Sequence, residues 1–405
     1  MVAESTASAR EQAAASFDAL YADLHPIGRD PATGGYHRFV YADEELTLRE
    51  WFTGEARARG LDVHEDRGGN IWAWWGDPAD GDAVGTGSHL DSVPQGGPYD
   101  GPLGVVSALG AVDLLRSRGV QPRRPLGLVA FADEEGGRFG VACSGSRILT
   151  GALSRERALG LTDEDGVSYG EALRRTGRDP ESIGRDDEVL GALGTFVELH
   201  VEQGRGLIEH DAPLGLYTMI RPHGRYRFDL LGRADHAGAT RIQDRDDPML
   251  TQAELVLAAR RAAERHGAVA TVGRVLVEPN GINAIPSRVR AWLDTRADEE
   301  ATVRAIVAEV RDAIGVEPFE EMWTARVDLD LDLMERLDGV LGGIPRLPSG
   351  AGHDAGIMAT AGVPTAMILV RNPTGVSHSP DEHAERDDCV EGVVRLADVL
   401  EDLLR

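Results

Sequence analysis

Histidine and carboxylate side chains follow several apolar or turn-forming segments of this 405-residue chain, and divalent metals in hydrolytic sites use these ligand types. The set consists of a histidine, an aspartate, a glutamate pair and two further histidines, namely His89, Asp100, Glu134, Glu135, His200 and His378. They lie in the segments GSHLDS, PYDG, DEEG, VELHVEQG and GVSHSPDEH. Together they predict a pair of divalent metals with five protein ligands that activates water, and therefore an enzyme.

Neighbouring residues could orient these ligands. Asp91 follows His89 by two positions in an extended segment, so its carboxylate could accept a hydrogen bond from the second ring nitrogen and fix the tautomer. Asp100 lies in the flexible segment PQGGPYDGPLG, where one carboxylate could bridge two cations. Glu134 and Glu135 cannot both point the same way from a strand end, so we expect one to bind metal and the other to shuttle protons.

Each of these residues has an ordinary interpretation when it is considered alone. An isolated DEEG is a solvated strand end, and an isolated histidine packs in the interior or lies on the surface. We interpret five further histidines in that way: His25, His37, His64, His210 and His266. For His89, His200 and His378, the repeated placement of ligand types at strand ends and in turns favours a metal site.

The first half of the chain alternates strand-like and helix-like segments. NIWAWW, AVGTGSHL and PLGLVAFADEE predict strands, whereas DEELTLREWFTGEARARG and PLGVVSALGAVDLLRSRG predict helices that end at Gly60 and Gly119. This alternation predicts a mostly parallel sheet that is covered by helices on both faces. Ligands of such sheets bind at the carboxyl ends of the strands, where His89, Glu134 and His200 fall.

From about residue 213 the pattern changes to that of a second, smaller domain. RYRFDLLGRA, AVATVGRVLV, RVRAWLDTRA and TARVDLDLD predict strands, and PMLTQAELVLAARRAAERHG and EEATVRAIVAEVRDAIG predict helices. Their βαββαβ order is typical of a ferredoxin-like domain. VPTAMILV and the terminal helix CVEGVVRLADVLEDLLR return to the first pattern, so we predict an α/β domain of residues 1–212 and 329–405 with an insertion at 213–328.

Composition limits the class of protein. The length and the 42% hydrophobic content predict about two or three domains with large cores, and the apolar runs are too short to span a membrane. The N-terminus lacks the apolar segment of a secretory signal, so we expect a cytoplasmic location. A net charge of −26 argues against nucleic-acid binding, and we interpret the two cysteines, Cys143 and Cys389, as packing residues.

At these motifs the chain resembles the M20 family of dinuclear metallo-amidohydrolases and peptidases. Within that family it is most similar to the branch of N-carbamoyl-L-amino acid hydrolases, β-ureidopropionase-type enzymes and allantoate amidohydrolases. The resemblance covers almost the whole chain and rests on GSHLDSVPQGGPYDG, ELHVEQG, DHAGAT, SGAGHDAG and SHSPDEH. It implies an α/β catalytic domain with an inserted ferredoxin-like lid and dimerisation domain.

The resemblance also implies a role for each candidate ligand. One metal would be held by His89, Asp100 and His200, and the other by Asp100, Glu135 and His378. Glu134 would be the general acid and base, and the Asp100–Gly101 peptide bond would be cis. The ions could be zinc, manganese, cobalt or nickel, because sites of histidine and carboxylate accept all of them.

Substrate recognition is implied for four further residues. Asn283 and Arg296 would bind the substrate carboxylate, and Gln203 would contact the ureido end. His236 in DHAGAT would stabilise the oxyanion from a partner subunit, which predicts a homodimer. The chain departs from many relatives in the segment TRIQ at residues 240–243 and in Arg221-Pro222-His223, so the substrate by analogy stays open.

We therefore predict metal-dependent hydrolysis of a linear amide C–N bond in a small anionic N-carbamoyl-L-amino acid or an allantoate-type ureido acid. An N-formyl or N-acyl amino acid amidohydrolase, or a dipeptidase on the same scaffold, is the alternative within the same class. A non-catalytic dimeric binding protein on a borrowed hydrolase fold is the alternative of a different class.

Overall fold

The structure, a computed structural model, describes residues 2–405, with side chains from residue 8 onward. The chain divides into two compact units. The large unit comprises Met1–Thr218 and Asp328–Arg405, and the small unit comprises Met219–Val327. No helix in the described part of the chain is both long and apolar enough for a membrane span.

Strands and helices alternate along the described residues. The strands are β1 (Asp62–Glu65), β2 (Ile71–Trp75), β3 (Ala83–His89), β4 (Leu126–Phe131), β5 (Leu193–Val201), β6 (Leu214–Ile220), β7 (His223–Leu231), β8 (Asp235–His236), β9 (Val269–Glu278), β10 (Ala284–Ile285), β11 (Arg288–Arg296), β12 (Phe319–Thr324), β13 (Val327–Asp328), β14 (Arg346–Ser349) and β15 (Thr365–Val370). The helices are α1 (Val2–Leu24), α2 (Asp43–Ala58), α3 (Pro102–Ser117), α4 (Ser144–Thr150), α5 (Arg155–Leu159), α6 (Tyr169–Arg175), α7 (Asp187–Ala192), α8 (Gly206–Glu209), α9 (Pro248–His266), α10 (Glu300–Ile314), α11 (Leu331–Leu341), α12 (Asp354–Thr360) and α13 (Arg386–Leu403).

The large unit is built on one sheet with the strand order β1-β2-β4-β3-β5-β15-β6-β13, and β14 pairs with β6. The four central strands, β4, β3, β5 and β15, run parallel, and antiparallel strands flank them on both sides. Every residue of β4 and β15 is buried, as parallel strands covered on both faces require. Helices α1, α3 and α13 pack together, and α12 packs on β5 and β15. The predicted fold class is confirmed.

The small unit is an antiparallel sheet with the strand order β12-β7-β11-β9, against which α9 and α10 pack. Its core contains Phe228, Leu230, Leu255, Val289 and Leu293. The connections β7-α9-β9-β11-α10-β12 follow the predicted βαββαβ order. A short ribbon of β8 and β10 forms a separate sheet in this unit.

Two details differ from the sequence-based predictions. Strand β6 pairs with β15 in the large sheet, so the first boundary lies at Thr218 rather than at residue 212. The last strand of the small unit is β12, whose sequence FEEMWT has no buried residue and lacks an apolar pattern. The segment TARVDLDLD instead contributes β13 to the large sheet, and the Asp330 carboxylate caps α11 by accepting from Leu333 N at 2.8 Å.

Candidate active site

Parallel pairing brings the first three ligand candidates to one edge of the large sheet. His89 ends β3, where it pairs with Phe131, the last residue of β4. His200 is the penultimate residue of β5, the strand on the other side of β3. Asp133, Glu134 and Glu135 follow one residue after the end of β4. The carboxyl ends of neighbouring parallel strands thus place imidazole and carboxylate groups together.

Both buried imidazoles point their Nε2 atoms at one carboxylate oxygen. Asp100 Oδ1 lies 3.6 Å from His89 Nε2 and 3.2 Å from His200 Nε2. Each Nδ1 lies near a backbone carbonyl oxygen, that of Asp91 at 3.2 Å and that of Val201 at 2.9 Å. A proton on Nδ1 would leave the Nε2 lone pair for a ligand, which is the usual arrangement at metal-binding histidines.

The other oxygen of the same aspartate faces a second group. Asp100 Oδ2 lies 3.5 Å from His378 Nε2, and Glu135 Oε2 lies 3.4 Å from that nitrogen. His378 is half-exposed and sits in a loop with a left-handed backbone, φ +57°. His89, Asp100 and His200 therefore form one cluster with the spacing of metal ligands, and Asp100, Glu135 and His378 form another. Asp100 belongs to both.

The chemistry of these clusters fits a cation. Among the described residues, neither His89 Nε2 nor His200 Nε2 has a hydrogen-bond partner, although both atoms are buried. Burial and the neighbouring Asp100 carboxylate raise the pKa of Glu135 well above its ordinary value, which shows how closely acidic groups are packed. Unpaired imidazole nitrogens beside crowded carboxylates are what a divalent ion would satisfy.

Glu382, which the sequence did not single out, holds the loop of Asp100, the aspartate that the two clusters share. Its Oε1 accepts hydrogen bonds from Tyr99 N at 2.7 Å and from Asp100 N at 2.9 Å. Gly101 makes the following turn with φ +84°, and a Cβ there would lie 2.4 Å from the His89 ring. The prediction of a cis Asp100–Gly101 peptide bond is wrong, because the cis bond found among the described residues is Glu278–Pro279. The positive φ of Gly101 provides the turn instead.

Asp91 supports both the histidine and the glutamate pair. Its Oδ1 lies 3.5 Å from His89 Nδ1, on the side that the two-residue spacing predicts. Its carboxylate also accepts hydrogen bonds from Glu134 N and Glu135 N, at 3.1 Å each. Nothing in the local sequence indicated this second contact, which fixes the backbone of both glutamates relative to the histidine.

Glu134 is buried beside the first cluster. Its Oε2 lies 3.8 Å from His89 Nε2, while its Oε1 accepts a hydrogen bond from the Cys143 thiol at 3.3 Å. Burial raises the pKa of Glu134 well above its ordinary value, and nearby Asp354 adds to this while His89 opposes it. A carboxyl group of raised pKa next to a cluster of potential metal ligands suits proton transfer. Cys143, interpreted from sequence as a packing residue, is in direct contact with it.

Gln203 and His353 complete the surroundings. Gln203 Nε2 donates to Asp100 Oδ2 at 2.8 Å, so this residue lies at the centre itself. His353, in the SGAGHDAG segment, is buried with its ring 4.7 Å from that of His200. Together with Glu198 these two histidines form a further group of suitable spacing. Burial lowers the pKa of His353 well below its ordinary value, so it is a neutral neighbour of the centre.

The small unit carries the remaining candidates. Strand pairing sets His236 opposite Ala284, and the Asn283 carbonyl accepts from Ala237 N at 2.9 Å, so His236 and Asn283 lie on one ribbon. His236 Nδ1 accepts hydrogen bonds from Gly238 N at 3.0 Å and from Ala239 N at 3.1 Å. The neutral ring must then carry its proton on Nε2, which makes that atom a donor.

Arg296 ends β11, opposite His223 on β7. Its Nε donates to Asp294 Oδ1 at 2.8 Å and its Nη2 to Asp294 Oδ2 at 3.3 Å. This two-point contact fixes the plane of the guanidinium group. Through this pairing, His223 of the unusual segment Arg221-Pro222-His223 lies opposite Arg296.

A sequence model of peptidase family M20/M25/M40 matches residues 85–402. The chain belongs to this family. This M20 chain is 38% identical over 386 residues to the N-carbamoyl-L-amino acid amidohydrolase of Geobacillus stearothermophilus, covering 91% of this chain and 93% of that protein. It is 32% identical over 393 residues to the allantoate amidohydrolase of Escherichia coli strain K12, covering 92% and 94%.

Solved structures agree with the family assignment. The M20 chain superposes on an amidase of the hydantoinase/carbamoylase family from Burkholderia vietnamiensis with a TM-score of 0.85 and 30% identity, covering 96% of this chain and 97% of that one. The prediction of an enzyme is confirmed: the M20 chain is a hydrolase of the amidohydrolase type.

Proposed function

We propose that this M20 enzyme hydrolyses the ureido C–N bond of an N-carbamoyl-L-amino acid or an allantoate-type substrate. The two similar relatives carry these substrates in their names. The observation that carries the proposal is Asp100, which directs one oxygen at each of two ligand clusters beside the buried Glu134.

Two divalent ions per subunit, zinc or alternatively manganese, cobalt or nickel, fit the donor set. His89, Asp100 and His200 would hold one ion, and Asp100, Glu135 and His378 the other. When bound, the ions supply Lewis acidity for the amide carbonyl and for water. The protein's own part is to fix the ligands, through Glu382 on the Asp100 loop and Asp91 behind His89.

Glu134 is the proposed general acid and base. It would take a proton from the attacking water and deliver it to the leaving nitrogen, and its Oε2 faces the first cluster for that purpose. Gln203 would contact the ureido end from its position beside Asp100. For a carbamoyl substrate, the released carbamate would decompose to ammonia and carbon dioxide.

The small unit would bind the rest of the substrate. His236 Nε2–H would donate to the developing oxyanion, since Nδ1 is already an acceptor for two backbone N–H groups. Arg296, oriented by Asp294, and Asn283 would bind the substrate carboxylate. In the homodimer that we propose, His236 acts on the substrate of the partner subunit.

The small unit offers a surface for that homodimer. Strand β9 is ten residues long and lies at the edge of the four-stranded sheet, with Val275 and Leu276 about two-fifths exposed. Helix α9 packs beside it and exposes Leu250 and Leu257. An unpaired edge next to apolar side chains suits antiparallel pairing with a second copy about a twofold axis.

Light scattering tests this interface. The wild type is expected to have the mass of a dimer and Leu276→Lys that of a monomer. Leu331→Lys, a change of an equally apolar exposed residue on α11 of the large unit, is the matched control and should leave the dimer intact. A monomeric wild type, or dissociation by both variants alike, would contradict the proposed interface.

An ammonia-release assay tests the activity. Protein loaded with zinc, manganese, cobalt or nickel is compared on allantoate and N-carbamoyl amino acids by ammonia release. N-formyl and N-acetyl amino acids release no ammonia, so their cleavage is followed by detection of the liberated amino acid. Turnover of a ureido substrate by the wild type but not by Glu134→Gln, with equal metal content, is the expected result. If only formyl or acetyl substrates are cleaved, the ureido assignment is wrong.

A further inference from the structure

Cys143 lies on the opposite side of the Glu134 carboxylate from the metal ligands. Its Sγ is 3.3 Å from Glu134 Oε1, whereas Glu134 Oε2 faces His89 Nε2 at 3.8 Å. Within the described part of the chain, this thiol is the one hydrogen-bond donor to the Glu134 side chain. The two carboxylate oxygens thus have different surroundings, one of them set by the thiol.

The backbone around Cys143 is clamped against the strand end that carries Glu134. Three successive amides donate to three successive carbonyls: Cys143 N to Glu134 O at 2.6 Å, Ser144 N to Asp133 O at 3.0 Å and Gly145 N to Ala132 O at 2.9 Å. Sγ is therefore presented to Oε1 from a fixed backbone.

Cys143 adopts this position at a conformational cost. Its φ of +55° and ψ of +37° lie in the left-handed region, which residues with a Cβ rarely occupy. Asp133, across the clamp, also has a positive φ, +54°. Backbone strain of this kind persists where the surrounding structure enforces it and is found most often at functional sites.

We propose that Cys143 is a positioning residue, whose S–H group holds Glu134 Oε1 and so keeps Oε2 directed at the reacting groups. The inference rests on the proposed role of Glu134 as general acid and base. A carboxylate that could rotate would present the wrong oxygen part of the time, and proton transfer depends on the correct distance and direction.

The hydrogen bond can be tested without metal or substrate, because the chain contains only two cysteines. Cys389, buried in α13 with no side-chain hydrogen bond among the described residues, is the internal reference. In the infrared spectrum we expect two S–H bands, and the band that disappears in Cys143→Ala should lie at lower wavenumber. Glu134→Ala should move that band towards the Cys389 band. A Cys143 band that is unaffected by Glu134→Ala would overturn the contact.

Kinetics test what the contact does. Cys143→Ala is expected to lower kcat by about 3- to 10-fold, the loss that one hydrogen bond gives, with KM unchanged. Cys143→Ser, which keeps a donor and the Cβ, should restore most of it, and Cys389→Ala should match the wild type. Equal kcat for Cys143→Ala and wild type, or a loss that serine does not restore, would refute the positioning role. Absence of ureido hydrolysis by the wild type itself would refute the proposed function, while the S–H result would stand.

Discussion

Replacing Glu382 tests whether the centre depends on a rigidly held Asp100. Glu382 is almost fully buried and accepts two hydrogen bonds, from the backbone N–H groups of Tyr99 and Asp100. Glu382→Ala leaves both donors unpaired, at about 1–3 kcal/mol each if no water replaces the carboxylate. The Asp100 loop would then be free to move. Loss of such a supporting contact typically lowers metal affinity by about 10- to 100-fold.

Glu382→Gln is the matched control. Burial and the nearby Asp100 carboxylate raise the pKa of Glu382 to about 8 in the metal-free protein, so its neutral form predominates there at pH 7 and glutamine resembles that form. One amide oxygen can still accept from both N–H groups. We therefore expect metal affinity close to that of the wild type for glutamine and a clear loss for alanine.

The assay is competition for zinc with a chelator at pH 7, combined with urea unfolding of the metal-free proteins. Equal zinc affinity of the alanine variant and the wild type would refute the reasoning. So would a glutamine variant as weak as the alanine variant, because the charge rather than the two hydrogen bonds would then support the loop.

Three other predictions concern the turn at Gly101, the base and the small unit. Gly101→Ala places a Cβ 2.4 Å from the His89 ring, so we expect loss of metal binding in dialysis experiments while Gly140→Ala, at a positive-φ turn with open space around it, retains the metal. Glu134→Gln should keep the metals but lose about 10²- to 10⁴-fold in kcat, and near-normal turnover would exclude a role as base. In the small unit, burial raises the pKa of Asp229, but the guanidinium groups of three arginines outweigh this effect and lower the pKa from 3.8 to about 2. After solvent screening, this shift contributes about 1–2 kcal/mol to the stability of the protein above pH 4. Because the Asp229 carboxyl group is protonated less readily in the folded protein, that stability is lost as the pH falls from about 4 to 2. The difference in unfolding free energy between the wild type and Asp229→Asn should therefore become smaller between pH 7 and pH 3. A difference that does not change with pH would contradict this. The arginines are Arg288, Arg290 and Arg227.

Local patterns predicted the elements that bring the ligands together. Strands β3, β4 and β5 are almost entirely buried, and their sequences are rich in apolar and small residues, with histidine or carboxylate residues at or just after their ends. The parallel order at the centre of the sheet then follows from the alternation of strands and helices. The clustering of His89 and His200 could be predicted from their positions at the carboxyl ends of parallel strands.

Contacts between distant parts of the chain were not predictable from such patterns. Glu382 binds backbone amides at Tyr99 and Asp100, and nothing in the local sequence of either segment indicates the pairing. Cys143 was interpreted as a packing residue because thiols usually are, and only the fold shows the Glu134 carboxylate next to it. Strand β12 was misplaced because none of its residues is buried, and its side chains do not alternate between apolar and polar.

Metal stoichiometry by elemental mass spectrometry tests the two-cluster centre most directly. The wild type is expected to bind two ions per chain, and His89→Ala and His378→Ala one ion each. Asp100→Ala should bind neither ion tightly, because Asp100 Oδ1 faces one cluster and Oδ2 the other. A wild type that binds no divalent ion, or an Asp100→Ala variant that keeps both, would contradict the account.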